Sequence, residues 1–302
     1  MRTLPWIWSP AYEMDIGVHV YPTGKYRQIR DRLLAEGTLR QADFHAPEPA
    51  SRPVLELVHD AAWIDRILVL AAGLTPAQER LLELPFSPKL RDAFVLCCGG
   101  TLEAGRLARQ HGISIHLGGG FHHAFRGHGE GFCLLNDVAV AAGGLLAEGA
   151  VSRVAVVDLD VHHGNGTASI FQSVPEVFTF SMHQEWNYPA VKPAGDLDIP
   201  LPDGTGDTAY LELLEAHLPT VIAHDPQLII YLAGVDPFER DQLGGLSLTS
   251  AGLRRRDRRV LEVAGRAGIP VAIVLAGGYA RREDDTVELH CNTVREAADA
   301  LQ

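Results

Sequence analysis

The residues able to do chemistry in this chain gather in a few short stretches, and the most informative is VDLDVHHGNG at 157–166. In an extended segment residues i, i+2 and i+4 share a face. Asp158, Asp160 and His162 therefore project one way, while Leu159 and Val161 project the other. Two carboxylates beside an apolar strand are costly to bury unless something positive pairs with them. A divalent metal on Asp160 and His162 answers that cost with one oxygen and one nitrogen ligand. A buried ion-pair network, or a simple loop with adjacent histidines, answers it as well. Asp236 ends another apolar run and can supply a third ligand, leaving one position open for water. Three protein ligands with an open site describe a catalytic zinc rather than a structural one.

His122 and His123 follow three glycines at 118–120. Glycine lets backbone approach a ligand closely, so the pair fits a tight turn against a site. An isolated His-His pair is usually a solvated loop; its position after the apolar run ISIHL (113–117) is what favours function here. Likewise Tyr279, after Gly277 and Gly278, is either packing or a hydroxyl donor to a reacting oxygen. Cys133 lies close in sequence, but no dedicated base accompanies it for nucleophilic work. The three lysines, Lys25, Lys89 and Lys192, sit in no Gly-rich phosphate motif, which disfavours Schiff-base and P-loop chemistry. His163 and His183 read as supporting or packing residues. His19, His45, His59, His111, His116, His128, His217, His224 and His290 read as structural or surface residues.

These groups need a frame that brings them to one place. Short apolar runs rich in Val and Ile occur at 113–117, 153–160, 176–183, 227–234 and 270–278. They do not alternate with polar residues, the pattern of strands buried on both faces of a parallel sheet. Amphipathic stretches at about 88–110, 136–149, 206–223 and 249–267 separate them, and Thr75 with Gln78 resembles a capping box opening another helix. Strand and helix in alternation predict right-handed crossovers and a three-layer α/β sandwich. The Pro-rich stretch 46–53 and the stretch 187–206 read as long loops inside one domain covering 1–302. In an open parallel sheet, ligands bind beyond the carboxyl ends of the strands. Each apolar run is followed at that end by GGGFHH, DLDVHHGNG, SMH, VDP or Tyr279, so five strands deliver polar groups to one edge.

The chain has 302 residues, 46% hydrophobic and 21% charged, the balance of a globular protein. Its formal charge of −12 argues against a nucleic-acid groove, which needs clustered Lys and Arg. No apolar stretch approaches the roughly 18–20 residues of a membrane span, and the N-terminus lacks the apolar core of a signal peptide. The four cysteines contain no CxxC and no disulfide framework, so a reduced, cytoplasmic location is expected.

The ordered set GGGFHH (118–123), GFCLLND (131–137), VDLDVHHGNGT (157–167), AGVD (233–236), LGGLSLT (243–249) and GGY (277–279) resembles the histone deacetylase superfamily. That superfamily also contains acetoin-utilisation proteins and acetylpolyamine amidohydrolases. The likeness spans about 110–280, and HVYPTGKY (19–26) and EDDTVELHCNT (283–293) extend it towards both ends. The compact length is most similar to small single-domain members related to class IV deacetylases. The resemblance implies the arginase–deacetylase fold, with a mostly parallel sheet of about eight strands. It implies zinc, or iron in the cell, on Asp160, His162 and Asp236. An arginase-like site with two manganese ions would need carboxylates two residues beyond His162 and Asp236, where this chain has Gly164 and Phe238. The resemblance further implies a structural potassium ion held by the Asp158 and Ser181 side chains and by the carbonyls of Asp158, Asp160, His162 and Met182.

The same resemblance implies a division of labour. His123 shuttles a proton from water to the departing amine, His122 with Asp158 holds the water, and Tyr279 donates to the developing oxyanion. The first proton acceptor stays open between the two histidines. Asn165 stands where many relatives have the aspartate that orients the second histidine, and an amide cannot stabilise an imidazolium as a carboxylate does. Gly131, Phe132 and Leu243 match positions lining a narrow tube for an acyl-lysine stem, although Phe132 also suits ordinary core. The expected partner is an acyl-lysine peptide or protein, or an acylated small amine. The alternatives are an acetylpolyamine amidohydrolase, disfavoured because no constricting insertion is evident, and a non-catalytic acyl-lysine-binding regulator. Neither a nucleic-acid nor a membrane partner is expected.

Overall fold

The computed structural model describes residues 5–69 and 73–300. Eight strands form one sheet in which every pairing is parallel: β1 (Trp6–Ile7), β2 (Phe44–His45), β3 (Ile113–His116), β4 (Val154–Asp158), β5 (Val177–Gln184), β6 (Leu197–Leu201), β7 (Ile229–Leu232) and β8 (Val271–Val274). Their spatial order is β2-β1-β3-β8-β7-β4-β5-β6. The apolar runs at 113–117, 153–160, 176–183, 227–234 and 270–278 therefore became β3, β4, β5, β7 and β8. Strands β3, β4, β7 and β8 are buried throughout, which is why their sequences show no alternation.

Helices fill the crossovers: α1 (Lys25–Ala35), α2 (Arg52–Leu55), α3 (Ala61–Leu68), α4 (Pro76–Leu82), α5 (Pro88–His111), α6 (Asp137–Ala147), α7 (Asn165–Phe171), α8 (Asp207–Ala223), α9 (Ser250–Ala267) and α10 (Glu283–Asp299). The four expected helices correspond to α5, α6, α8 and α9. The Thr75 capping box opens α4: Gln78 N–H donates to Thr75 Oγ1 and Thr75 N–H donates to Gln78 Oε1. Ser87 caps α5 and Pro88 occupies its first turn, where the missing N–H costs nothing. At Gly99 a β-carbon would collide with the Glu48 carbonyl, so this glycine lets the 46–53 segment lie directly on α5, and Ala50 N–H donates to Val95 O there.

Three features depart from the expectation. The stretch 187–206 is not all loop, because it contains β6, a partly exposed edge strand whose LDIPL sequence carries an aspartate and a proline. The two-residue strands β1 and β2 are too short to leave a pattern. The 46–53 stretch ends as the first residues of α2. Since all strands run the same way, the carboxyl ends of β3, β4, β7 and β8 open on one edge. Arg256 of α9, fully buried, fastens two of those ends together: its guanidinium donates to Leu159 O at 3.2 Å and to Gly234 O at 2.5 Å, and pairs with Asp257. Among the described residues no helix is long and apolar enough to cross a membrane.

Candidate active site

β4 and the segment beyond it carry Asp158, Asp160 and His162; the segment after β7 carries Asp236. Asp160, His162 and Asp236 are all buried, and one donor atom from each lies within 4.8 Å of the others. His162 Nδ1 is 3.0 Å from Asp160 Oδ1 and 3.3 Å from Asp236 Oδ2. The other carboxylate oxygens are held by backbone: Asp236 Oδ1 accepts from Val161 N–H at 2.9 Å and Asp160 Oδ2 from Gly277 N–H at 2.8 Å. Asp236 Oδ2 is buried with no hydrogen-bond partner, an expensive arrangement for a carboxylate unless a cation faces it. Burial, then the facing Asp160 carboxylate, pushes Asp236 upward. Burial acts the same way on Asp160, but His122 and His162 outweigh it and hold that carboxyl well below its usual range. A donor set of two carboxylates and one imidazole suits a divalent ion such as zinc. No side chain fits beside it at Gly234, where a β-carbon would stand 2.6 Å from Asp160 Oδ2.

The histidine pair comes off β3. Gly120 has φ +89°, and a β-carbon there would meet Ala276 at 2.6 Å, so only glycine permits this turn against the β8 end. Asn136 and Asp137, at the start of α6, hold the turn from the other side. Asp137 accepts from Gly120 N–H at 3.0 Å and Phe121 N–H at 2.7 Å, and Asn136 Nδ2 donates to the carbonyls of His122 and Ala124. The GFCLLND stretch is thus the support of GGGFHH. His122 Nδ1 faces Asp158 Oδ2 at 2.6 Å, and its Nε2 lies 3.1 Å from His123 Nε2. Burial opposes the charged form of His122, but Asp158 and Asp160 outweigh it and raise the imidazole to about 9. Burial and then His122 push His123 the opposite way. His123 Nδ1 lies 2.7 Å from Asn165 Oδ1.

Tyr279 stands across the cleft, its ring centroid 6.4 Å from that of His162 and 6.1 Å from that of Phe132. Gly131 and Phe132 both have positive φ, +53° and +66°, with their N–H groups on the carbonyls of Leu81 and Leu82. A β-carbon on Gly131 would come within 2.9 Å of His123 and Tyr188. Together with His123, His162, Tyr188, Leu243 and Tyr279, these residues line a cleft of about 160 Å³ that opens outward. Gly131, Phe132 and Leu243 thus meet at the same passage.

Asp158 and Ser181 are registered neighbours on β4 and β5, with Met182 buried one position further. His163 and His183 lie with Asp198 of β6, and His163 Nε2 donates to or faces Asp198 Oδ1 at 3.2 Å. This second group of possible metal ligands was hidden because β6 left no strand pattern. Four other residues escaped the sequence reading. Asp241 accepts from Tyr279 N–H at 2.7 Å, Leu243 N–H at 2.8 Å and Gly244 N–H at 3.0 Å, so one carboxylate sets both Tyr279 and Leu243. Lys25 is buried beneath Tyr279 and donates to Ala276 O at 2.8 Å; burial lowers it to about 8. Tyr188 lines the cleft, and Glu130 sits behind it. Glu130 immediately precedes GFCLLND, but no spacing rule couples it to a partner. His128, read as a surface residue, lies 3.2 Å from Glu130.

The chain is an α/β protein with an all-parallel eight-stranded sheet, and buried aspartates, a histidine pair and a tyrosine gather at one edge of it. The sequence profile described as Histone deacetylase domain matches residues 19–294, and the chain belongs to the histone deacetylase family. An uncharacterized protein of Picosynechococcus is 42% identical, with 98% of each chain covered. Acetoin utilization protein AcuC of Bacillus subtilis is 32% identical over 82% of this chain and 70% of its own. Histone deacetylase 2 of Arabidopsis thaliana is 29% identical over 90% of this chain and 74% of its own. The crystal structure of a histone deacetylase homologue complexed with SAHA superposes with a TM-score of 0.85 over 99% of this chain and 84% of that one. At 23% identity it speaks for the fold.

Proposed function

We propose that this chain, acting as one catalytic unit, is a zinc-dependent amidohydrolase that removes acetyl or longer acyl groups from lysine side chains or related amines. The observation that carries this reading is the buried Asp160–His162–Asp236 set, with Asp236 Oδ2 unpartnered and the set facing both the histidine pair and the cleft. Those three side chains would hold the metal, and Gly164 and Phe238 leave a second ion without carboxylates. A bound zinc polarises an amide carbonyl and makes water acidic near neutral pH.

The protein's own groups do the rest. His123 has one nitrogen tied to Asn165 and its Nε2 3.1 Å from His122 Nε2; in this reading that Nε2 takes the proton of the reacting water and hands it to the departing amine. His122, charged beside Asp158, orients that water and stabilises negative charge. Tyr279 donates to the carbonyl oxygen as it gains charge. Gly131, Phe132 and Leu243 enclose an aliphatic stem, each buried methylene contributing about 0.8 kcal/mol. Asp158 and Ser181 begin a set of oxygen donors suited to a potassium ion beside β4 and β5.

The test is hydrolysis of a fluorogenic acetyl-lysine peptide, alongside acylpolyamines of graded length, with and without chelator. Activity that chelation abolishes and zinc restores is expected, and His123→Ala should retain metal yet lose turnover. A metal-loaded protein inert on every acyl-lysine and acylamine would overturn the enzyme reading in favour of a binding role.

A further inference from the structure

The histidine pair is supported asymmetrically. His122 Nδ1 meets the Asp158 carboxylate directly, whereas His123 Nδ1 meets the neutral amide of Asn165. The far side of that amide is not free. Asn165 Nδ2 donates to Glu130 Oε1 at 2.6 Å. Tyr188 OH donates to the same oxygen at 3.0 Å, and His128 Nε2 lies 3.2 Å from Oε2. Asn165 is 2% exposed and the Glu130 side chain 15%, so the chain His123–Asn165–Glu130 runs inward from the protein edge with little water to compete.

We propose that Glu130 is a positioning residue for His123, acting through Asn165: it fixes which way the amide points and supplies the negative charge that the amide lacks. An amide offers an acceptor on one side and donors on the other, and a carboxylate only accepts. Glu130 therefore obliges Asn165 to turn its NH2 outward and its carbonyl oxygen towards His123. That oxygen in turn requires the proton on His123 Nδ1, leaving the Nε2 lone pair facing His122 and the cleft. Reversing the amide would put NH2 against Nδ1 and move the proton to Nε2, where the ring could no longer accept one from water. Burial raises Glu130, but hydrogen bonds from His128, Asn165 and Tyr188 outweigh this and keep it ionised. The same carboxylate holds the Tyr188 ring edge-on to His123, centroids 4.9 Å apart.

This inference rests on the catalytic role given to His123, and the experiment separates the two. With zinc content equalised, Glu130→Gln should lower kcat about 10- to 100-fold with KM nearly unchanged, and Glu130→Asp should recover part of the loss. Asn165→Asp alone sets two carboxylates against each other across 2.6 Å and should also lose activity. Combined with Glu130→Gln it should regain most of it, since a direct carboxylate then faces His123 and an amide donates behind it. A purely structural Glu130 cannot produce recovery in the double variant. In the metal-free protein, imidazole nitrogen shifts should report Nδ1–H on His123 in the parent and a mixed tautomer in Glu130→Gln. If His123→Ala keeps full activity, the underlying reading fails. If His123→Ala is inactive while Glu130→Gln matches the parent in kcat and in tautomer, the relay alone is refuted. Should Asn165→Asp misfold, the Gln-against-Asp comparison at 130 and the nitrogen shifts decide.

Discussion

Gly277 offers the sharpest test of the proposed metal centre, because a single methyl group reaches both carboxylates. Its N–H donates to Asp160 Oδ2, and its φ lies outside the left-handed region, so the backbone accepts alanine without strain. The obstacle is steric: a β-carbon would stand 2.5 Å from Asp160 Oδ2 and closer still to Asp236 Oδ2, where ordinary contact begins at 3.4 Å. At least one carboxylate must retreat by about 1 Å, several times the roughly 0.2 Å tolerance of a metal–ligand distance. Gly277→Ala should therefore weaken zinc binding by about 100-fold or more, while overpacking costs the metal-free fold only about 1–3 kcal/mol. Competition against a chelating dye measures the first, and urea denaturation in chelator measures the second. A variant that binds zinc like the parent would refute the assignment of Asp160 and Asp236 as joint ligands.

Two further outcomes are expected. Tyr279→Phe removes the proposed oxyanion donor and should cost about 10²–10³ in kcat with zinc content and folding intact; a loss under fivefold would remove Tyr279 from the chemistry. His59 is buried neutral, its Nδ1–H on Phe125 O at 2.9 Å and its Nε2 accepting from Asn136 N–H at 3.1 Å, and burial lowers it to about 4. Its folded value lies below the unfolded value near 6.5, so its contribution is complete above pH 6.5 and is lost as pH falls from there towards 4. His59→Gln keeps a donor and an acceptor, and should flatten the stability–pH curve in that window by about 1.4 kcal/mol per pH unit; superimposable slopes would contradict this.

Much of the frame was legible because buried parallel strands must be apolar on both faces. The runs at 153–160 and 270–278 announced β4 and β8 from composition alone. β6 escaped because an edge strand has one open side and tolerates the aspartate and proline that interrupt LDIPL, and with it escaped the company Asp198 keeps with His163 and His183. Asp160 and His162 could be paired on paper because two residues in an extended chain always share a face. The contacts of Asp241 with Tyr279 and of Glu130 with Asn165 and Tyr188 could not, since those partners lie 35 to 58 residues along the chain.

The sequence by itself determined the chemical inventory and the edge at which it gathers, for strand direction and apolar burial are written locally. The resemblance already implied Asp158 beside His122; only the folded chain brought Glu130 to Asn165 and Asp241 to Tyr279. Those pairings depend on where crossovers bring separate segments within about 3 Å, a distance set by packing and by glycines with no room for a side chain. The difference between Asp158 behind His122 and Glu130 behind His123 is therefore a property of the tertiary structure.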